Sequence, residues 1–197
     1  LRDLAAEVGA VICGSLVIGE NERCVNRMLW VPANGDLCWY DKRHLFRMAG
    51  EHERYGAGRD RLIVELNGWR ICLQVCYDLR FPVWLRNGYD RQDGRFDYDL
   101  LIFVANWPAA RRHAWRTLLQ ARAIENLSYC VGVNRVGVDG NQLAYAGDSA
   151  VLDFLGHPMV ELGAQEQVVT VTLDPAELAA HRHRFPAWMD ADTFTLD

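Results

Sequence analysis

The chain has 197 residues, half of them apolar, with seven Trp, seven Tyr and seven Phe. That length suits one domain with a sizeable core. A net charge of −5 argues against nucleic-acid or membrane-surface partners, which draw on a basic stripe, and no apolar run approaches the roughly 20 residues of a membrane span.

In chain order, residues 1–8 have helical spacing, with Leu4, Ala5 and Val8 on one face and Gly9 as C-cap. The opening residue is Leu1 and the helix pattern looks half-finished, so the chain is expected to begin inside a longer protein. Residues 10–18 and 27–32 read as strands. Asn34-Gly35 then makes a hairpin turn, because Asn-Gly accepts positive φ cheaply, and residues 37–40 return. Residues 41–58 form a long polar, glycine-punctuated loop of the kind that usually carries function. A second strand pair, 61–66 and 69–76, turns at Asn67-Gly68. Residues 81–88 have room for a short helix, and 91–97 read as a solvated loop. The apolar run 100–105 suits a strand covered on both faces. Residues 109–127 give the best helix, its apolar side formed by Trp115, Leu118, Leu119, Ile124 and Leu127. Strands follow at 128–133, 149–153 and 168–173, and Asp174-Pro175 opens a last short helix with Asp174 as N-cap. Mixed hairpins and crossovers without linkers predict an α/β layered fold in a single domain spanning 1–197.

The chemistry candidates each have a plainer reading. Cys76 ends an apolar strand, beside Asp78 and Arg80, and is either a nucleophile or one more core cysteine. The other cysteines show no Cys-x-x-Cys pair, so the chain reads as reduced and cytoplasmic, with no metal or cofactor indicated. Lys42 leaves a strand for the long loop. It is either part of a solvated patch with Arg43 and Arg47, or an ammonium able to lower a thiol pKa and bind an oxyanion. Glu51 and Glu53 flank His52 as surface carboxylates, or as groups that orient a lysine. None of the six histidines carries a signature, and His181-Arg182-His183 reads as an exposed helix end. Gly147-Asp148-Ser149 and Gly56-Ala57-Gly58 are decoys for a serine hydrolase and a phosphate loop.

Together, Tyr-Asp-Lys-Arg-His-Leu-Phe at 40–46, Cys-Tyr-Asp-Leu-Arg-Phe-Pro at 76–82, Ala-Asn-Trp-Pro at 105–108 and Arg-Ala-Ile-Glu-Asn at 122–126 resemble the nitrilase, or carbon–nitrogen hydrolase, superfamily in the family's own order. The likeness is nearest to its omega-amidase branch and runs through the tail. It implies an αββα sandwich whose N-terminal part lies outside the chain, and a Cys-Lys-Glu catalytic set. Cys76 would be the nucleophile, Lys42 and the Tyr77 N–H would hold the oxyanion, and Trp107 would line the pocket. Glu51 matches the supporting glutamate by its spacing between Lys42 and Gly58, with Glu53 close by. The general-base glutamate has no match in 1–197: Glu7 follows that segment, while Glu20 and Glu22 are expected in a turn.

The implied activity is hydrolysis of an amide C–N bond through a cysteine thioester. The implied substrate is a small-molecule ω-amide such as 2-oxoglutaramate or 2-oxosuccinamate, acted on by a homodimer or higher homo-oligomer pairing through helix 109–127 and the tail. The alternatives are another amidase, an N-carbamoyl amidohydrolase or a nitrilase of the same superfamily, or an inactive homologue serving as a binding module.

Overall fold

A computed structural model describes residues 1–20 and 23–196. Helix α1 (Arg2–Val8) ends at Gly9, whose φ of 62° closes it in the left-handed region as the sequence predicts. Strands β1 (Ile12–Glu20) and β2 (Arg23–Val31) form a long antiparallel hairpin. Thus β2 starts four residues before the expected position, because its ladder with β1 continues as far as Glu20↔Arg23. Glu20 accordingly belongs to a strand rather than a turn, and Glu22 lies outside the described residues. Strand β3 (Cys38–Asp41) returns along β2, and β4 (Tyr55–Gly56) runs parallel to β2 further along the same sheet. The Arg27↔Asp41 register is pinned by a two-pronged pair, Nε–Oδ1 at 2.6 Å and Nη2–Oδ2 at 2.8 Å. That pin sits one residue before Lys42.

The long loop is less irregular than its polar composition suggests. It contains a 3₁₀ turn (Arg47–Ala49), the single-turn helix α2 (Glu51–Arg54) and β4. The second sheet has six strands. In chain order they are β5 (Ile63–Leu66) and β6 (Trp69–Val75), then β9 (Leu100–Ala105), β10 (Tyr129–Asn134), β13 (Ala150–Leu152) and β14 (Pro158–Glu161). Between these fall helix α3 (Pro82–Leu85), the hairpin of β7 (Tyr89–Asp90) with β8 (Arg95–Phe96), helix α4 (Arg112–Asn126), and the hairpin of β11 (Val136–Val138) with β12 (Ala144–Ala146). The spatial order is β14-β13-β10-β9-β6-β5. The central β6, β9 and β10 run parallel, so their carboxyl ends meet at one edge, where α/β sheets place ligand sites.

One core joins Met28, Trp30 and Tyr40 of the first sheet to Leu73, Phe103, Trp115 and Cys130 around the second. Helix α4 packs on β10 and β13. The expected α/β layering is therefore present. Three local expectations fail in whole or in part. Residues 168–173 form no strand, and Val168 stands fully exposed: their alternation finds no neighbouring strand to bond among the described residues. Residues 91–94 are the exposed turn expected, held by Asp90 accepting the N–H groups of Gln92 and Asp93, but Arg95–Phe96 form a strand paired with β7. Ile124 is half exposed, and the buried side of α4 is Trp115, Leu119, Arg122, Ala123 and Asn126. Helix α5 (Pro175–Arg184) starts as predicted, with the Asp174 carboxylate accepting from Ala176 and Glu177 N–H.

Candidate active site

Strand β6 stops at Val75, and Cys76 enters a 3₁₀ turn (Cys76–Arg80) with φ of 47°. A non-glycine residue in the left-handed region costs energy and persists only where its surroundings enforce it. The period-two alternation that would align Cys72, Gln74 and Cys76 therefore ends one residue early. Cys72 and Gln74 stay fully buried, while Cys76 is half-buried at the sheet edge, packed against the core. Its Sγ lies 4.0 Å from the Asn106 carbonyl oxygen, in the loop after β9. Burial pushes the Cys76 thiol up to about 11. The Lys42 charge pulls it down, and the Glu51 and Asp78 charges push it up. A lysine does act on this thiol, as the sequence suggests, but burial outweighs it.

Lys42 is 1% exposed, so the solvated-patch reading fails. Its backbone is fixed on both sides: its N–H donates to the Asn26 carbonyl at 2.9 Å, and its carbonyl accepts from Gly58 N–H at 2.9 Å. Gly58 permits that approach, since a Cβ there would fall 1.9 Å from the Asp41 carbonyl oxygen. The Lys42 ammonium donates to Glu51 Oε2 at 2.6 Å, and the same oxygen accepts the Phe46 N–H at 2.8 Å. The choice between Glu51 and Glu53 is thereby decided in favour of Glu51 as the lysine's partner. The Glu53 carboxylate is largely exposed and lies near His52, 3.9 Å away.

Asp78 is the residue that sequence reasoning left without a role. It is fully buried, and its carboxylate ties the cysteine turn to the lysine segment. Oδ2 accepts from the Tyr40 hydroxyl at 2.8 Å and from Val75 N–H at 3.1 Å. Oδ1 accepts from His44 N–H at 3.0 Å and lies 2.8 Å from His44 Nδ1. Tyr40 and His44 stand two residues either side of Lys42, so one carboxylate fixes the first sheet's lysine against the second sheet's cysteine. The His44 ring stacks on Phe81 with centroids 3.7 Å apart. From the other side, the buried Arg122 of α4 donates twice to the Leu79 carbonyl, at 3.0 and 2.6 Å. The turn is thus held from two directions.

Tyr77 is half-buried, and its ring packs between Phe46 and Phe81 at 4.9 and 5.1 Å. Trp107 is buried in the loop after β9. Asn134 at the end of β10 accepts its N–H at 2.7 Å and donates to its carbonyl at 3.1 Å. Its indole N–H donates to the Arg111 carbonyl at 2.9 Å. Cys76, Lys42, Glu51, Tyr77 and Trp107 therefore gather in one region, at the carboxyl ends of the parallel strands. The histidine pair at 181 and 183 lies elsewhere and is not simply exposed. His181 is buried on Phe154, and Arg182 pairs with Asp99 at 2.6 Å. All six cysteines are free, and among the described residues no group of three or more His, Cys, Asp or Glu side chains is placed to hold a metal ion. Nor is any described helix long and apolar enough to cross a membrane.

Residues 1–183 match the family model described as carbon-nitrogen hydrolase. The chain is 50% identical over 197 residues to the omega-amidase YafV of Yersinia enterocolitica, covering all of this chain and 74% of that protein. It is 32% identical over 181 residues to the 2-oxoglutaramate amidase of Bacillus subtilis, covering 91% of this chain and 68% of that one. Among solved structures, a CN-hydrolase superfamily protein from Xanthomonas campestris, with an arsenic adduct in its active site, superimposes with a TM-score of 0.97 at 60% identity. That match covers all of this chain and 74% of the other.

Proposed function

The chain belongs to the carbon–nitrogen hydrolase family and is an enzyme of that class, and on that premise we propose that it is an omega-amidase whose nucleophile is Cys76. The observation that carries the reading is the buried Lys42–Glu51 pair, acting on a thiol held at a strained strand-end turn. The likeness to proteins named omega-amidase and 2-oxoglutaramate amidase supports the substrate class, an ω-amide of a 2-oxo dicarboxylic acid.

In the proposed reaction the Cys76 sulfur attacks the amide carbon and gives up its proton to a base. A sulfur–carbon bond forms, and negative charge collects on the former carbonyl oxygen. Lys42 and the Tyr77 N–H stabilise that charge, because fixed donors in a dry site need no reorganisation when charge develops. An ammonium has three N–H bonds, and Glu51 occupies one of them while keeping Lys42 aimed. The carbon–nitrogen bond breaks, and the nitrogen takes a proton and leaves as ammonia. Water then cleaves the thioester to give the carboxylic acid and the free thiol. Trp107 walls the pocket. A thiol pushed up to about 11 is protonated at neutral pH, so the attack needs a proton acceptor. The setting we propose is cytoplasmic, as a homodimer or larger homo-oligomer, which light scattering at micromolar concentration tests.

Ammonia release from 2-oxoglutaramate is the direct assay. The protein should release it and Cys76→Ala should not; equal release from both would sink the proposal. Parallel assays with a nitrile and an N-carbamoyl amino acid separate the omega-amidase from its relatives in the superfamily.

A further inference from the structure

We infer that Arg111 is the specificity-determining residue that reads the remote carboxylate of the substrate, an inference that rests on the amidase reading above. Most guanidinium groups in this molecule already have acidic or carbonyl partners. Arg112 is paired with Asp148, Arg61 with Asp97, and Arg122 with Glu125 and the Leu79 carbonyl. The half-buried exceptions are Arg80, which lies over Trp107, and Arg111. No carboxylate among the described residues lies within ion-pair distance of Arg111; its guanidinium instead lies 5.2 Å from the centre of the Phe46 ring. Partial burial of a charge without a counter-ion is costly, and a ligand carboxylate would offset that cost.

The placement of Arg111 fits this role. It closes the 3₁₀ turn Ala109–Arg111, directly after the loop that brings Asn106 to the Cys76 sulfur and Trp107 into the core. Its carbonyl is fixed by the Trp107 indole, so its backbone is anchored while its side chain crosses to the opposite loop. The ring it covers, Phe46, packs on Tyr77, and the Phe46 N–H bonds the same Glu51 oxygen that holds Lys42. An aromatic wall therefore runs from the reacting end of the site to a guanidinium with free donors. An ω-amide carrying a carboxylate at its far end presents the matching anion. A planar guanidinium donates two parallel N–H···O bonds to it, a geometry that lysine cannot copy.

The test compares 2-oxoglutaramate with a neutral amide of similar length, butyramide, in the protein and in Arg111→Gln and Arg111→Lys. The expected result is that the ratio of kcat/KM for the carboxylated over the neutral amide falls roughly 10- to 100-fold in Arg111→Gln. The fall should come through KM, with only partial recovery in Arg111→Lys. An unchanged ratio would overturn the inference. A second readout needs no turnover: the dicarboxylate 2-oxoglutarate should protect Cys76 from iodoacetamide in the parent and not in Arg111→Gln. Protection that is absent from the parent, or retained in the variant, overturns the inference. Protection that depends on Arg111 while no ammonia is released from 2-oxoglutaramate upholds it and defeats the omega-amidase reading alone.

Discussion

Asp78 shows what a single buried carboxylate does here. Its two oxygens serve the Tyr40 hydroxyl, the Val75 and His44 amides and the His44 ring. Asp78→Ala would take this acceptor from the buried Tyr40 hydroxyl and Val75 N–H and from the part-buried His44 N–H. We expect a loss of about 3 to 5 kcal/mol in urea unfolding, together with loss of amidase activity, since Lys42 is no longer held against Cys76. Asp78→Asn keeps the shape but turns an NH₂ either toward the Tyr40 hydroxyl and Val75 N–H or toward the His44 N–H, so it should recover only part of the loss. In the sequence Asp78 was legible only as a neighbour of Cys76, because Tyr40 lies 38 residues earlier and spacing carries no sign of that bond. Cys76 and Lys42 stood out as candidates, though spacing left a plainer reading beside each and only the motif resemblance preferred the catalytic one. Each sits where an apolar strand gives way to polar residues, and that change shows in the sequence itself.

At the scale of elements, the site depends on how closely α4 lies on β10. Gly132 makes that approach possible: a Cβ there would fall 2.5 Å from a Leu119 methyl and 2.8 Å from the Trp115 ring. Both neighbours are fully buried and have no room to yield. Gly132→Ala should cost about 1 to 3 kcal/mol, read as a fall of a few degrees in Tm. It should lower kcat/KM as well, because Asn134, two residues further along β10, clamps Trp107. Element type was largely readable from apolar runs, Asn-Gly turns and the Asp174-Pro175 cap. What failed was pairing. Residues 168–173 alternate like a strand yet find no partner among the described residues, while β2 runs on past its apolar stretch because β1 is there to bond it. A strand exists only with a neighbour, and the neighbour is not written in the segment's own sequence.

The whole molecule carries a pH liability in its thiols. Burial pushes Cys72 up to about 11 and Cys130 higher still. Unfolded thiols ionise near ~8.5. Between that value and 11 the unfolded chain gives up protons that the fold retains, so stability is complete below ~8.5 and is lost as pH rises through 11. Cys72 alone should account for about 2 kcal/mol between pH 7 and pH 10. Urea unfolding at the two pH values measures the drop, and Cys72→Ala should shrink it.

Lys42 and Glu51 lie in the segment that leaves β3 of one sheet, and Cys76 lies in the turn that ends β6 of the other, with Asp78 as the rivet between them. Neither sheet holds half an activity. If these residues carry the proposed reaction, activity is expected only once the two sheets have docked. In a refolding experiment, strand and helix signals should return first and ammonia release should trail them. The interval between the two clocks is the time the sheets take to find each other.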